Sequence, residues 1–153
     1  MEKVLPTRGQ LERQISQTLQ SSYRDGFGHL PSKISCHLFD DKVAIVAENT
    51  ITNIERVLLD NLKIDLAVNI RSALSKTFLS QIKEEIADIL KVEVTEMISN
   101  WTLDTGYLGI MIFLDDSPKV RVTAKECRKY QSIVNTAVEI TSETTTSISF
   151  TQN

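Results

Sequence analysis

The sequence predicts an α+β fold, in which an antiparallel sheet of about four strands packs against one long central helix and shorter helices. Three observations support this prediction. A ladder of apolar side chains at helical spacing runs through the middle of the chain. Two pairs of strand-like segments, each joined by polar turn residues, predict two β-hairpins. Three threonines, each followed three residues later by Gln or Glu, indicate helix starts with capping boxes.

The ladder predicts a helix of roughly 25 residues with a large apolar side chain at every fourth position: Leu66, Ile70, Leu74, Phe78, Ile82, Ile86 and Leu90. Because one helical turn takes 3.6 residues, this spacing drifts by about 40° per step and by about 240° over the ladder. A single flat partner cannot cover such a winding stripe. We therefore expect the helix to be central to its domain, and we expect a homodimer in which a second copy covers the excess arc.

The first helix and the first hairpin precede the ladder. Thr7 with Gln10 opens the helix, and Asp25-Gly26 is expected to end it. Residues 33–39 and 42–48 then predict two strands joined by a tight polar turn. The second strand has apolar side chains in consecutive positions, so we expect a central strand buried on both faces.

A short helix and the second hairpin flank the ladder. Thr52 with Glu55 opens the short helix, and a kink is expected where this helix meets the ladder, near Asn61 and Asp65. After the ladder, two strand-like segments surround Asp104-Thr105-Gly106, where Gly106 suits a left-handed turn position. These segments are residues 92–101 and 107–115.

The chain after residue 115 is expected to extend the domain. Residues 119–122 predict a short edge strand, and Thr123 with Glu126 opens a further helix. The last residues are rich in Ser and Thr and have few apolar side chains, which is typical of a mostly disordered tail. The predicted organisation is an α+β domain over residues 5–115, an edge strand and helix over 116–138, and a tail over 139–153.

Composition indicates an ordinary globular protein. With 153 residues, 41% hydrophobic and 24% charged, the chain suits a single domain. A net charge of -3 argues against a general electrostatic grip on nucleic acid, so no nucleic-acid partner is expected. Cys36 and Cys127 are expected to be reduced thiols of a cytoplasmic protein. No apolar segment is long enough to insert into a membrane, so a membrane role would come through a partner.

No motif for catalysis, a metal or a cofactor is as clear as the ladder. Asp104-Thr105-Gly106 matches the triplet of aspartic proteases, but such small proteases are nearly all β and this chain is predicted to be about half helical. Cys36 and His37 are adjacent in a strand, so their side chains point to opposite faces and cannot hold one ion. The sequence predicts a non-enzymatic protein with neither a cofactor nor a metal.

The candidate binding residues are one basic cluster and two aromatic side chains. The basic cluster would bind an anion, an acidic lipid surface or a partner, although such runs are more often solvated faces. Trp101 and Tyr130 are candidate anchors for a protein partner, and Trp101 also suits the core of the second hairpin. The basic cluster consists of Lys119, Arg121, Lys125, Arg128 and Lys129.

Several short motifs resemble those of one bacterial protein family. The motifs are Thr7-Arg8-Gly9-Gln10-Leu11-Glu12 with Ile15-Ser16, Gly28-x-x-Pro31, Asn49-Thr50-Ile51-Thr52-x-x-Glu55, Arg71, and Ile110-x-Ile112-Phe113-Leu114. They resemble the MpsC family, which is named after the small subunit of a sodium-translocating, membrane-potential-generating system. The resemblance covers roughly residues 5–115. The chain departs from the family at Asn49, where a glycine is usual, and from Lys119 onward, which looks like an addition.

The resemblance implies a non-enzymatic accessory protein associated with a sodium or inorganic-carbon transport system, whose membrane parts are other chains. The alternative is a sensor that binds a small molecule or nucleotide at the basic cluster. Thr52, Glu55 and Arg71 are at positions typical of the family. We do not assign them to a functional site, because a capping box explains Thr52 and Glu55 and a carboxylate partner would explain Arg71.

Overall fold

The computed structural model describes residues 3–149, apart from the side chains of Tyr130 and of residues 143–149. In this part of the chain, four helices and one four-stranded antiparallel sheet confirm the α+β prediction. The strand order is β1-β2-β4-β3, so two hairpins lie side by side. The elements are α1 (Arg8–Phe27), β1 (Lys33–Phe39), β2 (Lys42–Glu48), α2 (Asn53–Asp60), α3 (Ile64–Leu90), β3 (Val94–Trp101), β4 (Leu108–Leu114) and α4 (Ala124–Ser149).

The core lies between one face of the sheet and the helices α1 and α3. Side chains alternate across each strand, so the register sets which ones face the helices. Ile45 of β2 pairs with Cys36 of β1 on one side and with Ile110 of β4 on the other. The buried core includes Leu11, Ile15, Leu19, Tyr23, Leu38, Val43, Phe78, Ile82, Ile86, Leu90 and Ile112.

β2 is a central strand, as predicted, but it is buried on one face only. Val43 and Ile45 face the helices and are buried, whereas Val46 on the other face is 43% exposed and Ala44 is half-buried. The prediction that both faces are buried is wrong, because both α1 and α3 pack against the same side of the sheet.

The N-terminal part of α1 is attached to the edge strand β1. The predicted capping box is present: the Thr7 hydroxyl accepts from Gln10 N, and the Gln10 side chain accepts from Thr7 N. Arg8 donates to Leu38 O and Glu12 accepts from Leu38 N, each at 3.0 Å. The helix ends at Gly28, with φ 64°, rather than at Asp25-Gly26. Only Gly28 has the left-handed conformation that terminates the helix.

The ladder on α3 is buried only in its C-terminal half. The rungs from Phe78 to Leu90 are buried, while Ile70 and Leu74 are half-buried and Leu66 is 50% exposed. The second half of the helix is therefore central to the domain, and the first half extends beyond the core that the sheet and α1 cover. That a second copy covers this first half stays a prediction. The predicted kink is present, since Leu62 has φ 58° between α2 and α3.

The predicted edge strand at residues 119–122 is absent. A single parallel bridge joins Thr7 to Arg121, in which Arg121 N donates to Pro6 O at 2.8 Å. Pro6 has no backbone N–H to return a second hydrogen bond, so the ladder cannot continue.

α4 is longer than the sequence indicates. Thr123 and Glu126 form the predicted capping box. The helix then continues to Ser149, so residues 139–149 are helical and not the disordered tail that we expected, while residues 150–153 lie outside the described part. Hydroxyls of α4 bond to carbonyls one turn back, as Thr136 does to Ser132 and Thr141 to Ala137. Ser and Thr are therefore accommodated within the helix.

Candidate functional site

Glu55 of α2 and Arg71 of α3 form an ion pair inside the domain. Their relative exposures are 0% and 4%. Glu55 Oε1 lies 2.5 Å from Arg71 Nε, and Glu55 Oε2 accepts from Arg71 Nη2 at 2.8 Å. The same Oε2 accepts from the backbone N and the hydroxyl of Thr52, also at 2.8 Å. The capping box at the start of α2 is therefore joined directly to α3.

Thr50 connects this ion pair to α1 and to the second hairpin. Its carbonyl oxygen accepts from Arg71 Nη2 at 2.9 Å and from the Tyr23 hydroxyl, which itself accepts from Arg71 Nη1. Thr50 N and Oγ1 both donate to Gly106 O, at 2.9 and 3.0 Å. Burial raises the pKa of Tyr23, and the neighbouring Arg71 charge opposes part of that effect. The network thus joins α1, α2, α3 and two loops.

The two loops of the network need left-handed backbone conformations. Gly106 has φ 74°, as the hairpin prediction requires, and a Cβ there would meet the Ile51 side chain at 3.4 Å. Asn49 has φ 56°. Glycine adopts this conformation without strain, and Asn tolerates it better than most other residues do. The departure from the usual glycine at this position is therefore conformationally conservative.

The cavity beside the ion pair is small. The cavity beside the ion pair is lined by Tyr23, Glu55 and Arg71 together with apolar side chains, and its volume is about 10 Å³. Such a volume holds about one water molecule. The polar groups of the network contact one another and so connect the helices and loops that carry them.

The ion pair has a consequence for the rest of α2. Glu55 is the only fully buried residue of this helix, Leu58 and Leu59 are half-buried, and Ile54 and Val57 face outward. Ile54 is 68% exposed, Val57 is 59% exposed, and Leu62 after the helix is 83% exposed. Exposed apolar side chains continue into the start of α3, where Ile64 and Val68 lie on one side of the helix and Leu66 on the other. We call the whole set the α2–α3 surface: Ile54, Val57, Leu62, Ile64, Leu66 and Val68.

Trp101 adjoins the α2–α3 surface. It is half-buried, packs against the core, and lines an open groove between α2 and the second hairpin. Ile64 and Val68 of the α2–α3 surface line the same groove, and Arg56 and Asp104 contribute charged groups to it. Trp101 therefore supports the hairpin and is partly exposed beside apolar side chains, and its role as a partner anchor stays a prediction.

The family model for MpsC, described as a Na+-translocating membrane potential-generating system, matches residues 7–116. The chain belongs to the MpsC family. No curated protein sequence matches it, and no solved structure does. The MpsC match runs from the capping box of α1 to the end of β4, so it contains the whole ion-pair network and the α2–α3 surface and leaves out α4.

Two further properties of the MpsC chain concern metals and membranes. Among the side chains that the structure describes, no group of three His, Cys, Asp or Glu residues is placed to hold a metal ion. No helix within residues 3–149 has both the length and the apolar character needed to cross a bilayer.

The basic cluster lies outside the MpsC match. Its five side chains are exposed. Lys119 and Arg121 belong to the segment before α4, whereas Lys125, Arg128 and Lys129 share one face of the helix, since each residue advances by about 100°. The side chain of Tyr130, the second candidate anchor, lies outside the described part of the structure.

The buried network of the MpsC chain was missed in the sequence, although two signals were present. Arg71 is a charged residue in the middle of an apolar ladder, and a charge at such a position needs a buried partner. Tyr23 is on the apolar stripe of α1, where a buried phenol needs a hydrogen-bond partner. Neither signal identifies the partner, because Tyr23, Thr50 and Arg71 are far apart in sequence.

The free energy of unfolding of the MpsC chain is expected to fall at alkaline pH because of its buried thiol. Burial, with a smaller contribution from Glu12, raises the pKa of Cys36 to about 12. The unfolded thiol has a pKa of about 8.5, so above that pH the folded state keeps a proton that the unfolded state loses. The free energy of unfolding should then fall by about 1 kcal/mol per pH unit between about pH 9 and pH 11. Urea denaturation at several pH values measures this slope.

Cys36→Val should make the alkaline slope clearly shallower, although Tyr23, whose pKa burial also raises, maintains some decline above about pH 10. Cys127→Ser is the matched control. Cys127 is exposed, so this substitution should leave the slope unchanged. An unchanged slope in Cys36→Val would show that the thiol does not contribute.

Proposed function

We propose that this chain is a non-enzymatic accessory subunit that docks through its α2–α3 surface onto a membrane-embedded chain of a sodium-translocating system, on the cytoplasmic side. The family description supports the association with such a system. The exposed apolar side chains of α2 and early α3 support docking as the mode of action. The proposed partner has an apolar groove or patch that is exposed to water when the two chains are apart.

The orientation of α2 is the observation that carries this proposal. An amphipathic surface helix normally turns its apolar side chains toward the core. In α2 the fully buried residue is Glu55, held by Arg71 and Thr52, whereas the apolar Ile54 and Val57 face water. The other two apolar side chains of the helix, Leu58 and Leu59, are half-buried. Full burial of one such side chain contributes about 1.5–3 kcal/mol. Covering several of them therefore provides a large driving force for association.

The buried network also prepares the α2–α3 surface for binding. Glu55 is fixed by contacts to Arg71 and to Thr52, so the ion pair helps to hold α2 in position while Ile54 and Val57 stay exposed. A surface that is already ordered before binding loses less conformational entropy on association. The ion pair thus serves docking indirectly, and it needs no catalytic role.

Copurification with the membrane chains of a sodium-translocating system from the same organism tests the proposal. The chain and those membrane proteins would be coexpressed, extracted in mild detergent and recovered through a tag on the chain. We expect the pair Val57→Glu and Leu62→Glu to lower recovery of the membrane partner by at least about tenfold, because each charge would be buried in the apolar contact.

The control pair is Val122→Glu with Leu30→Glu, which places the same charges on exposed residues of the same types outside the α2–α3 surface. This pair should recover the partner as well as the unmodified chain does. The change of Lys125, Arg128 and Lys129 to Glu should also leave recovery unchanged. If this charge reversal abolished recovery while Val57→Glu and Leu62→Glu did not, the basic cluster would be the binding site and the proposal would be wrong.

A further inference from the structure

The face of the sheet opposite the helices is apolar at its centre. The strand register places Ala44, Met111 and Ile98 side by side across β2, β4 and β3. Val46 is the next outward residue of β2, and Ile98, Met111 and Val46 are all exposed. We call this the open sheet face: Ala44, Val46, Ile98, Met111 and Phe113, with Phe39 at one corner. A contiguous apolar patch of this kind is typical of an interaction surface.

α4 has a matching apolar face. Ile133, Val134 and Val138 are each more than half exposed. At about 100° per residue, these three side chains share one side of the helix with Cys127 and Ala137, and the basic residues at positions 125, 128 and 129 lie on the other side. No other helix or strand among the described residues packs against α4. One chain therefore exposes both an apolar sheet face and an amphipathic helix.

We propose that α4 of one chain packs its apolar face across the open sheet face of a second copy, and that the exchange is reciprocal. The apolar face from Cys127 to Val138 is about 17 Å long. The distance from β1 to β3 is about 15 Å, so one helix spans the sheet. In a reciprocal dimer the same contact is made twice, so the buried area is doubled. A specific interface needs roughly 1,000 Å² of buried surface.

The position at which α4 begins favours packing of this helix on the sheet of a second copy over packing on its own sheet. The preceding segment is attached to the helix side of the sheet: Pro118 is buried, Val120 packs against the core, and Arg121 N donates to Pro6 O. The capping box of Thr123 with Glu126 then fixes the first turn of α4. The helix thus starts on the side away from its own open sheet face, and folding back would break these contacts. In a dimer both chains keep them.

This inference does not rest on the proposed docking through the α2–α3 surface. It places the homodimer contact at the open sheet face and α4, whereas the sequence indicated the ladder of α3. The α2–α3 surface remains available to another partner.

Light scattering on the full chain at micromolar concentration tests the dimer. The expected mass is twice the 17.2 kDa of one chain. A sheet variant, Val46→Glu with Met111→Glu, and a helix variant, Ile133→Lys with Val134→Lys, should each weaken the dimer by at least about 100-fold, because both bury charges in an apolar contact. Mixing the two variants should restore a dimer, since one contact is then unmodified and the other pairs Glu with Lys.

Other results would overturn the inference. A single-chain mass for the unmodified protein would do so. A dimer lost in the helix variant but kept in the sheet variant would indicate helices that pair with each other. If changing Ile54 and Val57 to Lys abolished the dimer and the sheet variant kept it, the contact would lie at the α2–α3 surface. Binding of an unmodified monomer to anionic phosphatidylserine vesicles, lost only in the helix variant, would make α4 a membrane-surface helix.

Disulfide trapping provides a second measurement if the sheet variant fails to fold. In a Cys127→Ser background, a chain with Val46→Cys would be mixed with a chain that carries Val134→Cys. Mild oxidation should give a disulfide-linked pair of the two different chains, which tags of different size identify. A chain with Leu30→Cys in place of Val46→Cys is the control, because Leu30 is also exposed but lies outside the open sheet face. Equal linkage in both mixtures would overturn the inference.

Discussion

Replacing Arg71 with methionine is expected to lower the free energy of unfolding by about 3–5 kcal/mol. The change leaves Glu55, which is 0% exposed, without its cationic partner. It also removes the donors to Thr50 O and to the Tyr23 hydroxyl. Urea denaturation at neutral pH measures the loss.

The double change Glu55→Gln with Arg71→Met should recover part of this loss, because no unpaired charge is then buried. Arg56→Met is the matched control, since Arg56 is exposed and lies next to Glu55 on α2. Its effect should be within about 0.5 kcal/mol. If Arg71→Met behaved like Arg56→Met, the ion pair would not hold α2 in place.

Alanine substitutions in the ladder of α3 are expected to have very different effects on stability. Its apolar side chains have the same spacing but different surroundings. Ile82→Ala should lower the free energy of unfolding by about 2–5 kcal/mol, since this side chain is fully buried and its removal leaves a cavity in the core. Leu66→Ala should change it by no more than about 0.5 kcal/mol, because that rung is half exposed. Thermal or urea denaturation of the two variants gives the comparison.

Measurements at low and high protein concentration extend this comparison. Leu66→Ala and Ile82→Ala could lower the free energy of unfolding equally at high protein concentration only. A second copy would then cover the first half of the ladder. Equal costs at both concentrations would instead mean that the first half is packed within a single chain.

The elements that the sequence predicts well depend on neighbours in the chain. The capping boxes at Thr7, Thr52 and Thr123 are each completed within three residues, so their geometry follows from local sequence. The turn at Gly106 is local as well. The two hairpins are predicted for the same reason, since each pairs segments that a short turn connects.

The features that the sequence predicts poorly depend on distant parts of the chain. The burial of one face of β2, and of only half of the ladder, depends on where α1 and the sheet lie, and periodicity alone contains no such information. The partner of Arg71 is on a different helix, so spacing cannot identify it. For the end of α4, the Ser- and Thr-rich composition predicted disorder, but the structure has a helix there. Hydroxyl groups in this helix bond to carbonyl oxygens one turn back.

The pairing of β2 with β4 has a consequence for the order in which the chain folds. β1 with β2, and β3 with β4, are joined by short turns, so each hairpin closes a small loop. Contact between Ile45 and Ile110 must instead bring together two segments with α2 and all of α3 between them. Such non-local pairing is slow because its loop-closure entropy is lost before the contacts form. The rate-limiting step in forming the sheet is therefore expected to be the meeting of two preformed hairpins at its centre.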